Sequence, residues 1–327
     1  MNSDNKIAEA AESRRATFEL PSQASRLKRS VRLGALVVVA VAIAGAMFGS
    51  APSVRAGDSQ TDVAVTSCVS PITSCGCTIT TSGFYILANA LSSSQGLTAN
   101  NGCIDISASH VVLNSGKPVT SGVKHGGFSI DGPGGGTPTG IGIHILKGSN
   151  KDFLELPGAV DGWDVALLVE GNNNIVDFDF EGPPANGTAG IEINGGSNNN
   201  INDFRSNNNK NYGVWLRGAS NNQINCSDSD NNGNIGVYIG CSANGPINGK
   251  CSPKVPPSNN NRIFDHSADN NAKYGVVIDL GNTGNIVTDL TAETNGTMDL
   301  LDENKNCDHN RWFFLGFNTA SPGCISN

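Results

Sequence analysis

Asn198-Asn199-Asn200-Ile201, Gly213-Val214-Trp215-Leu216, Asn221-Asn222-Gln223-Ile224 and Gly236-Val237-Tyr238-Ile239 follow one another along the chain. Two landmarks alternate here, and each returns after 23 residues. One is an Asn-rich turn leading into Ile. The other is Gly followed by two apolar residues that flank a free position. Outward in both directions the same landmarks recur. Upstream are Gly142-Ile143-His144-Ile145, Asn172-Asn173-Asn174-Ile175 and Gly190-Ile191-Glu192-Ile193; downstream are Asn259-Asn260-Asn261-Arg262-Ile263 and Gly275-Val276-Val277-Ile278. The first apolar residue precedes the anchor after the Asn turn by ten in Ile191/Ile201, Val214/Ile224 and Val276/Ile286. The same spacing selects Ile143/Phe153 and Val165/Ile175 as weaker turns. Where the period lengthens, insertions are visible at Gly182-Pro183-Pro184-Ala185 and over residues 241–257, and insertions in repeat architectures map to surface loops.

Each unit reads as short strands with alternating polarity between Gly or Asn corners, and no stripe at helical spacing supplies crossover helices. A chain that coils, laying each turn's strands parallel on the last, satisfies this pattern. The expected fold is therefore all-β, a single-stranded right-handed parallel β-helix. Asn suits the corners because it tolerates left-handed backbone geometry, and stacked Asn side chains can bond in ladders. About eight turns from Ile104 to Leu300 would make a rod of ~40 Å. Open coil ends need covers. Residues 57–103 are expected to form the first cap and first strands, residues 104–300 the coil, and residues 301–327 the second cap.

Residues 1–56 read as a signal peptide: Lys28, Arg29 and Arg32 precede an apolar run from Leu33 to Phe48, and Val54-Arg55-Ala56 offers a cleavage site. The long polar stretch before the run also fits an uncleaved anchor, which would be the protein's one contact with a membrane. The chain of 327 residues has a net charge of −8, and residues 57–327 carry −12. That charge argues against nucleic acid as a partner. All nine Cys lie after residue 56, and a secreted, periplasmic or cell-surface location permits their oxidation. Cys307 with Cys324 would close the second cap, and Cys241 with Cys251 the inserted loop. Cys68, Cys75, Cys77 and Cys103 would form two bonds of open connectivity, leaving Cys226 over.

Stacked repeats turn sequence columns into surface stripes. Two residues after the anchors come Asp177, Asp203, Cys226, Asp265 and, shifted by one, Asp289; neighbours such as Asp177 and Asp203 could share a Ca²⁺ ion. Four residues after come Asp179, Arg205 and Asp228, where a cation between carboxylates is the arrangement a lyase uses against a uronate. The same residues also suit a surface ion ladder. The free position of the Gly-apolar strand runs His144, Ala166, Glu192, Trp215, Tyr238 and Val277. Trp215 and Tyr238 are expected on adjacent turns, pointing outwards, as a stacking surface for sugar rings with Glu192 as a hydrogen-bonding neighbour. The alternative is that residues 241–257 fold over them.

These repeats, together with Cys75-Gly76-Cys77-Thr78-Ile79-Thr80, Cys103-Ile104-Asp105-Ile106 and Asp299-Leu300-Leu301-Asp302-Glu303-Asn304, make the chain resemble the secreted bacterial right-handed β-helix proteins of the pectin-lyase-like superfamily. The resemblance spans nearly all of residues 68–327 and implies the fold. It implies no single activity, since that superfamily mixes lyases, hydrolases, epimerases and members without a known reaction. The Asp-Asp pair and Arg-Ile-Lys of its polygalacturonase-like hydrolases are absent, Arg262-Ile263-Phe264 standing nearest. Phe264-Asp265-His266 lacks the Arg-x-Pro-x-x-Arg partner of pectate lyases. The leading expectation is an exported, non-catalytic β-helix that contacts polysaccharide or another extracellular surface. A polysaccharide lyase or glycoside hydrolase is the first alternative and a structural or adhesive rod the second. No cofactor is expected beyond Ca²⁺.

Overall fold

The computed structural model describes residues 66–115, 127–134, 138–156, 158–177, 186–242, 245 and 254–326. The segment 1–56, Asp179 and Cys251 lie outside them. The described residues belong to one unit, Thr61–Asn327. Its strands form a ten-stranded sheet from Cys77–Ile79 to Ala320–Ser321, a nine-stranded sheet from Gly83–Ile86 to Arg311–Phe317, and a three-stranded sheet beginning at Leu91–Ser92. Every pairing is parallel, and each strand pairs with those one turn before and after. The chain is a right-handed parallel β-helix, the hand that parallel crossovers take.

The interior is a set of apolar columns. On the first sheet Ile104, Ile143, Leu167, Ile191, Val214, Val237, Val276 and Leu300 lie in one register, one per turn. On the second sheet Leu113, Leu154, Val176, Ile201, Ile224, Ile263, Val287 and Trp312 do the same. All are buried. Four expected positions shift. Leu167, not Val165, aligns with Ile143, and the column through Ile201 takes Leu154, Val176 and Val287, not Phe153, Ile175 and Ile286. Ile175 is accordingly exposed.

The Asn turns divide their work between neighbours. Asn173, Asn198, Asn221 and Asn260 take the left-handed backbone, with φ of 57–60°. The next residue in each turn stacks: Asn174, Asn199, Asn222, Asn261, Asn285 and Asn310 form one ladder. A second ladder runs through Asn186, Asn209, Asn232, Asn271 and Asn295. In each step Oδ1 accepts the backbone N–H of the preceding turn at 2.8–3.2 Å, and along most steps Nδ2 of that turn donates to the same oxygen. The ladders end on carboxylates. Asn310 Nδ2 donates to Asp302 and Asn295 Nδ2 to Asp299. Burial pushes the Asp299 carboxyl up, but hydrogen bonds from Asn295, Asn318 and Thr319 outweigh it and leave it below its ordinary value.

The second ladder explains the recurrent glycine. A Cβ on Gly213 would lie 2.6 Å from Ser229 Cβ and 2.8 Å from Asn232 Nδ2, and one on Gly236 would lie 2.7 Å from Asn271 Nδ2. Backbone and amide column meet too closely for any side chain.

Three disulfides tie the ends. Cys68–Cys77 and Cys75–Cys103 settle the connectivity of the first group, and Cys307–Cys324 closes the last residues as expected. Cys241 is disulfide-bonded. Cys226 keeps its thiol, 3.6 Å from Asp265 Oδ2. Cys307 and Cys324 are 17 residues apart, a closure worth about 3 kcal/mol. Replacing both with Ser should lower the melting temperature markedly. An unchanged melting curve would show that the cap holds without the bond.

Candidate functional site

On the outer face of the first sheet, between the core columns, one row runs Asp105, His144, Leu168, Glu192, Trp215, Tyr238, Val277 and Leu301, in register from turn to turn. The row differs from expectation at one place, where Leu168 replaces Ala166. It splits chemically into an aromatic half and a charged half.

The aromatic half corrects the expectation of exposure. Trp215 and Tyr238 do stand on adjacent turns, with ring centroids 6.2 Å apart and planes nearly parallel. They are 2% and 0% exposed, so they offer no free stacking face. With Ala189, Tyr212, Ile235 and Val277 they form a second apolar cluster, separate from the coil's interior. Their polar atoms are spent inside it. Trp215 Nε1 donates to Gly240 O at 2.8 Å, and the Tyr238 hydroxyl lies 2.5 Å from Asp279 Oδ2 and 3.0 Å from Gly245 O. Gly245 and Ser242, described residues of the inserted stretch, meet the Tyr238 hydroxyl, as the covering alternative expects of them. Burial, then the charge of and bond to Asp279, push the Tyr238 hydroxyl far up; burial raises the Asp279 carboxyl to about 7, with Glu303 adding to it.

The charged half was only partly legible. Glu192 is buried, with Arg217 Nη1 4.0 Å from its Oε1. Burial raises its carboxyl to about 7; Asp164 and Glu170 push the same way and Arg217 opposes them. The Arg217 guanidinium sits 5.4 Å from the centre of the Trp215 ring. One turn from Leu168, His144 Nε2 lies 3.0 Å from Glu170 Oε2, and His144 Nδ1 lies 3.9 Å from Asp105 Oδ1. Asp105 Oδ2 accepts from Asn100 Nδ2 at 2.8 Å. Asp105 Oδ1, His144 Nδ1 and Arg217 Nε are buried and make no hydrogen bond within the chain. Asp105, His144, Glu170 and Arg217 are thus the residues sequence reasoning missed as a group. The available signal was a polar residue between two core residues, as in Ile104-Asp105-Ile106 and Ile143-His144-Ile145.

The other candidates fall elsewhere. Arg205 Nε and Asp228 Oδ2 are 3.2 Å apart at the second sheet, on neighbouring turns as expected. Both are partly exposed, and such a pair is worth at most about 1 kcal/mol. Asp177 pairs with Asn202, not Asp203; the one-residue shift that exposes Ile175 takes Asp177 out of the column of left-handed residues Asp203, Cys226, Asp265 and Asp289. The proposed Ca²⁺ column therefore loses its first member. Among the described residues no group of three or more His, Cys, Asp or Glu is arranged to hold a metal.

No family model matches the chain, and no curated protein matches it. Solved structures do. The enzymatically active domain of tailspike protein 2 from bacteriophage CBA120 aligns over 74% of this chain and 38% of its own length, with 13% identity and a TM-score of 0.47. The Dettilon tailspike protein aligns over 76% of this chain and 54% of its own, with 11% identity and a TM-score of 0.46. The chain therefore spans only about 38% and 54% of these two neighbours. What its own strand pairings establish stands independently: this is a parallel β-helix protein with disulfide-tied ends.

Proposed function

We propose that the protein contacts polysaccharide along the outer face of its first sheet, at the charged half of the row. The observation that carries this is the juxtaposition of Glu192, Arg217, Glu170 and His144 on consecutive turns, with buried polar atoms that the chain leaves without partners. Sugar hydroxyls both donate and accept, and a floor of carboxyl, imidazole and guanidinium meets both needs. Leu168, half-buried between His144 and Glu192, adds an apolar strip for a ring face. Trp215 serves the site from beneath by carrying Arg217, and Tyr238 by packing on Trp215. The disulfides support work outside the cytoplasm. In this role the protein binds without cleaving.

One observation favours bond cleavage as a second reading. A carboxyl held at about 7, as Glu192 is, suits a general acid at neutral pH. Such chemistry would lie on the first sheet and not at Arg205 and Asp228.

The test uses Glu170 and Arg217, the partly exposed members of the site. Glu170→Ala with Arg217→Ala should abolish retention on an insoluble polysaccharide that the unaltered protein binds, with the melting temperature nearly unchanged. Full retention by that variant would overturn the placement. Release of new reducing ends from the bound polymer, lost in Glu192→Gln, would establish the cleavage reading instead.

A further inference from the structure

We propose that two copies of this chain pair side by side, coils parallel, through the outer face of the second sheet over its first four turns. The inference stands apart from the polysaccharide reading, which concerns the first sheet. It starts from one row. Phe84, Val112, Phe153 and Ile175 hold the same register position on four successive strands. They point away from the coil, because the residues that follow three of them, Leu113, Leu154 and Val176, belong to the buried column. Phe84 is 62% and Ile175 42% exposed, and Val112 and Phe153 are half-buried. Beyond Ile175 the row continues through Asn200, Gln223, Arg262, Ile286 and Arg311, so it turns mainly polar. The apolar strip is about 14 Å long at ~4.8 Å per turn. Single exposed apolar residues are ordinary, but four in line make a continuous patch of the kind that marks an interaction surface.

The occupant follows from the charges beside the strip. Lys151 precedes Phe153 by two residues and Glu155 follows it by two, and both are exposed. One turn earlier His110 and Asn114 flank Val112 in the same way, and one turn later Asn173 and Asp177 flank Ile175. One margin is therefore basic or neutral and the other acidic or neutral. A two-fold axis laid along the strip packs the apolar row on itself and exchanges the margins. Lys151 of each copy then meets Glu155 of the other, giving two ion pairs per dimer. The two sheets face each other about 10 Å apart, as in packed β-sheets.

Charge also rejects the opposite arrangement. An axis across the strip would bring Lys151 to His110 of the second copy and Glu155 to Asn114, and nothing would answer the lysine. With the axis along the strip, Arg262 and Arg311 would meet their own copies. The contact therefore ends with the apolar residues, and the coils diverge beyond Ile175. A patch this small belongs with weak, reversible interfaces of less than about 1,200 Å² in total.

Sedimentation equilibrium of the full chain at low salt, over a hundredfold range of concentration, tests the pairing. The unaltered protein should show a reversible monomer–dimer equilibrium. Lys151→Glu and Glu155→Lys should each weaken it at least tenfold, because each sets like charges opposite one another at both ion pairs. The double variant Lys151→Glu with Glu155→Lys should return the affinity to within threefold of the unaltered protein. Ile175→Ser, at an exposed position, should weaken association about tenfold with the melting temperature unchanged. A chain that stays monomeric at every concentration would overturn the proposal. Association that the single variants leave unchanged would overturn it too, by placing the contact on another surface. A double variant as weak as the single ones would overturn the exchange of margins, and a trimer mass would overturn the two-fold axis.

Discussion

Asn222→Ala should destabilise the protein by about 4 kcal/mol, whereas Asn221→Ala, one residue away, should cost roughly 1 kcal/mol. Asn222 Oδ1 accepts both the backbone N–H and the Nδ2 of Asn199, at 2.9 and 3.0 Å. Its own Nδ2 donates to Asn261 Oδ1 and to Gly196 O, each at 3.1 Å. Truncation leaves two donors of Asn199 buried without an acceptor, and each such orphan costs about 1–3 kcal/mol. Asn221 is exposed and contributes its left-handed backbone, φ 60°, which Ala can adopt at modest expense. Urea midpoints of the two variants measure the contrast. Equal losses would mean that the corner conformation, and not the ladder, carries the stability.

The second large effect is an acid-shifted stability optimum. Glu192 and Asp279 are both raised by burial to about 7. A carboxyl raised on folding binds its proton more tightly in the folded state, so it contributes stability at acid pH that is lost as pH rises to about 7. Each is worth about 3 kcal/mol over that window. His266 runs the other way. It is buried in the coil's interior beside Ser227, its Nδ1 2.6 Å from Ser227 Oγ, and burial lowers it to about 3. A histidine lowered on folding loses stability as pH falls from its ordinary value towards 3. Between pH 7 and 4.5 two groups gain while one loses, so stability should rise by roughly 4 kcal/mol on going from pH 8 to pH 4.5, then fall below pH 4. Urea titrations at pH 8, 4.5 and 3 check this. A maximum near pH 8 would show that Glu192 and Asp279 are not held protonated. Glu192→Gln with Asp279→Asn should flatten the rise, and His266→Leu with Ser227→Ala should remove the acid limb.

The coil itself was readable because its two causes leave marks in the chain. Asn pairs mark corners, one residue for the left-handed turn and the next for the stack, and glycine marks the place where the backbone of Gly213 or Gly236 meets the amide column. Register failed where turns differ in length. Val165 and Ile175 obey the ten-residue spacing, yet the columns run through Leu167 and Val176, because a slip of one or two residues leaves apolar residues at both candidate positions. Alternation correctly sent Trp215 and Tyr238 out of the coil, but outside the coil is not the same as in water. Tyr212 was invisible as their partner: it lies three residues before Trp215, so strict alternation turns it inwards. The tight passage at Gly213 lets it join the outer cluster instead. The charged half escaped for a related reason. Glu170 and Arg217 sit beyond the core pairs, and only the folded register brings them to His144 and Glu192.

The carboxylates at the ends of the ladders act as punctuation. Within a ladder every rung is interchangeable, since each amide hands on the same donors it receives, so evolution can delete or duplicate a whole turn, Asn199 to Asn222 for instance, without rewriting its neighbours. Asp302 and Asp299 take the last amide's donors and are not amides themselves. The first ladder also opens on an acid, since Asp152 donates its N–H to Asn174 Oδ1 and its own Oδ1 accepts from Val111, so the grammar of the rod leaves its length free in the middle and fixes that sentence at both ends.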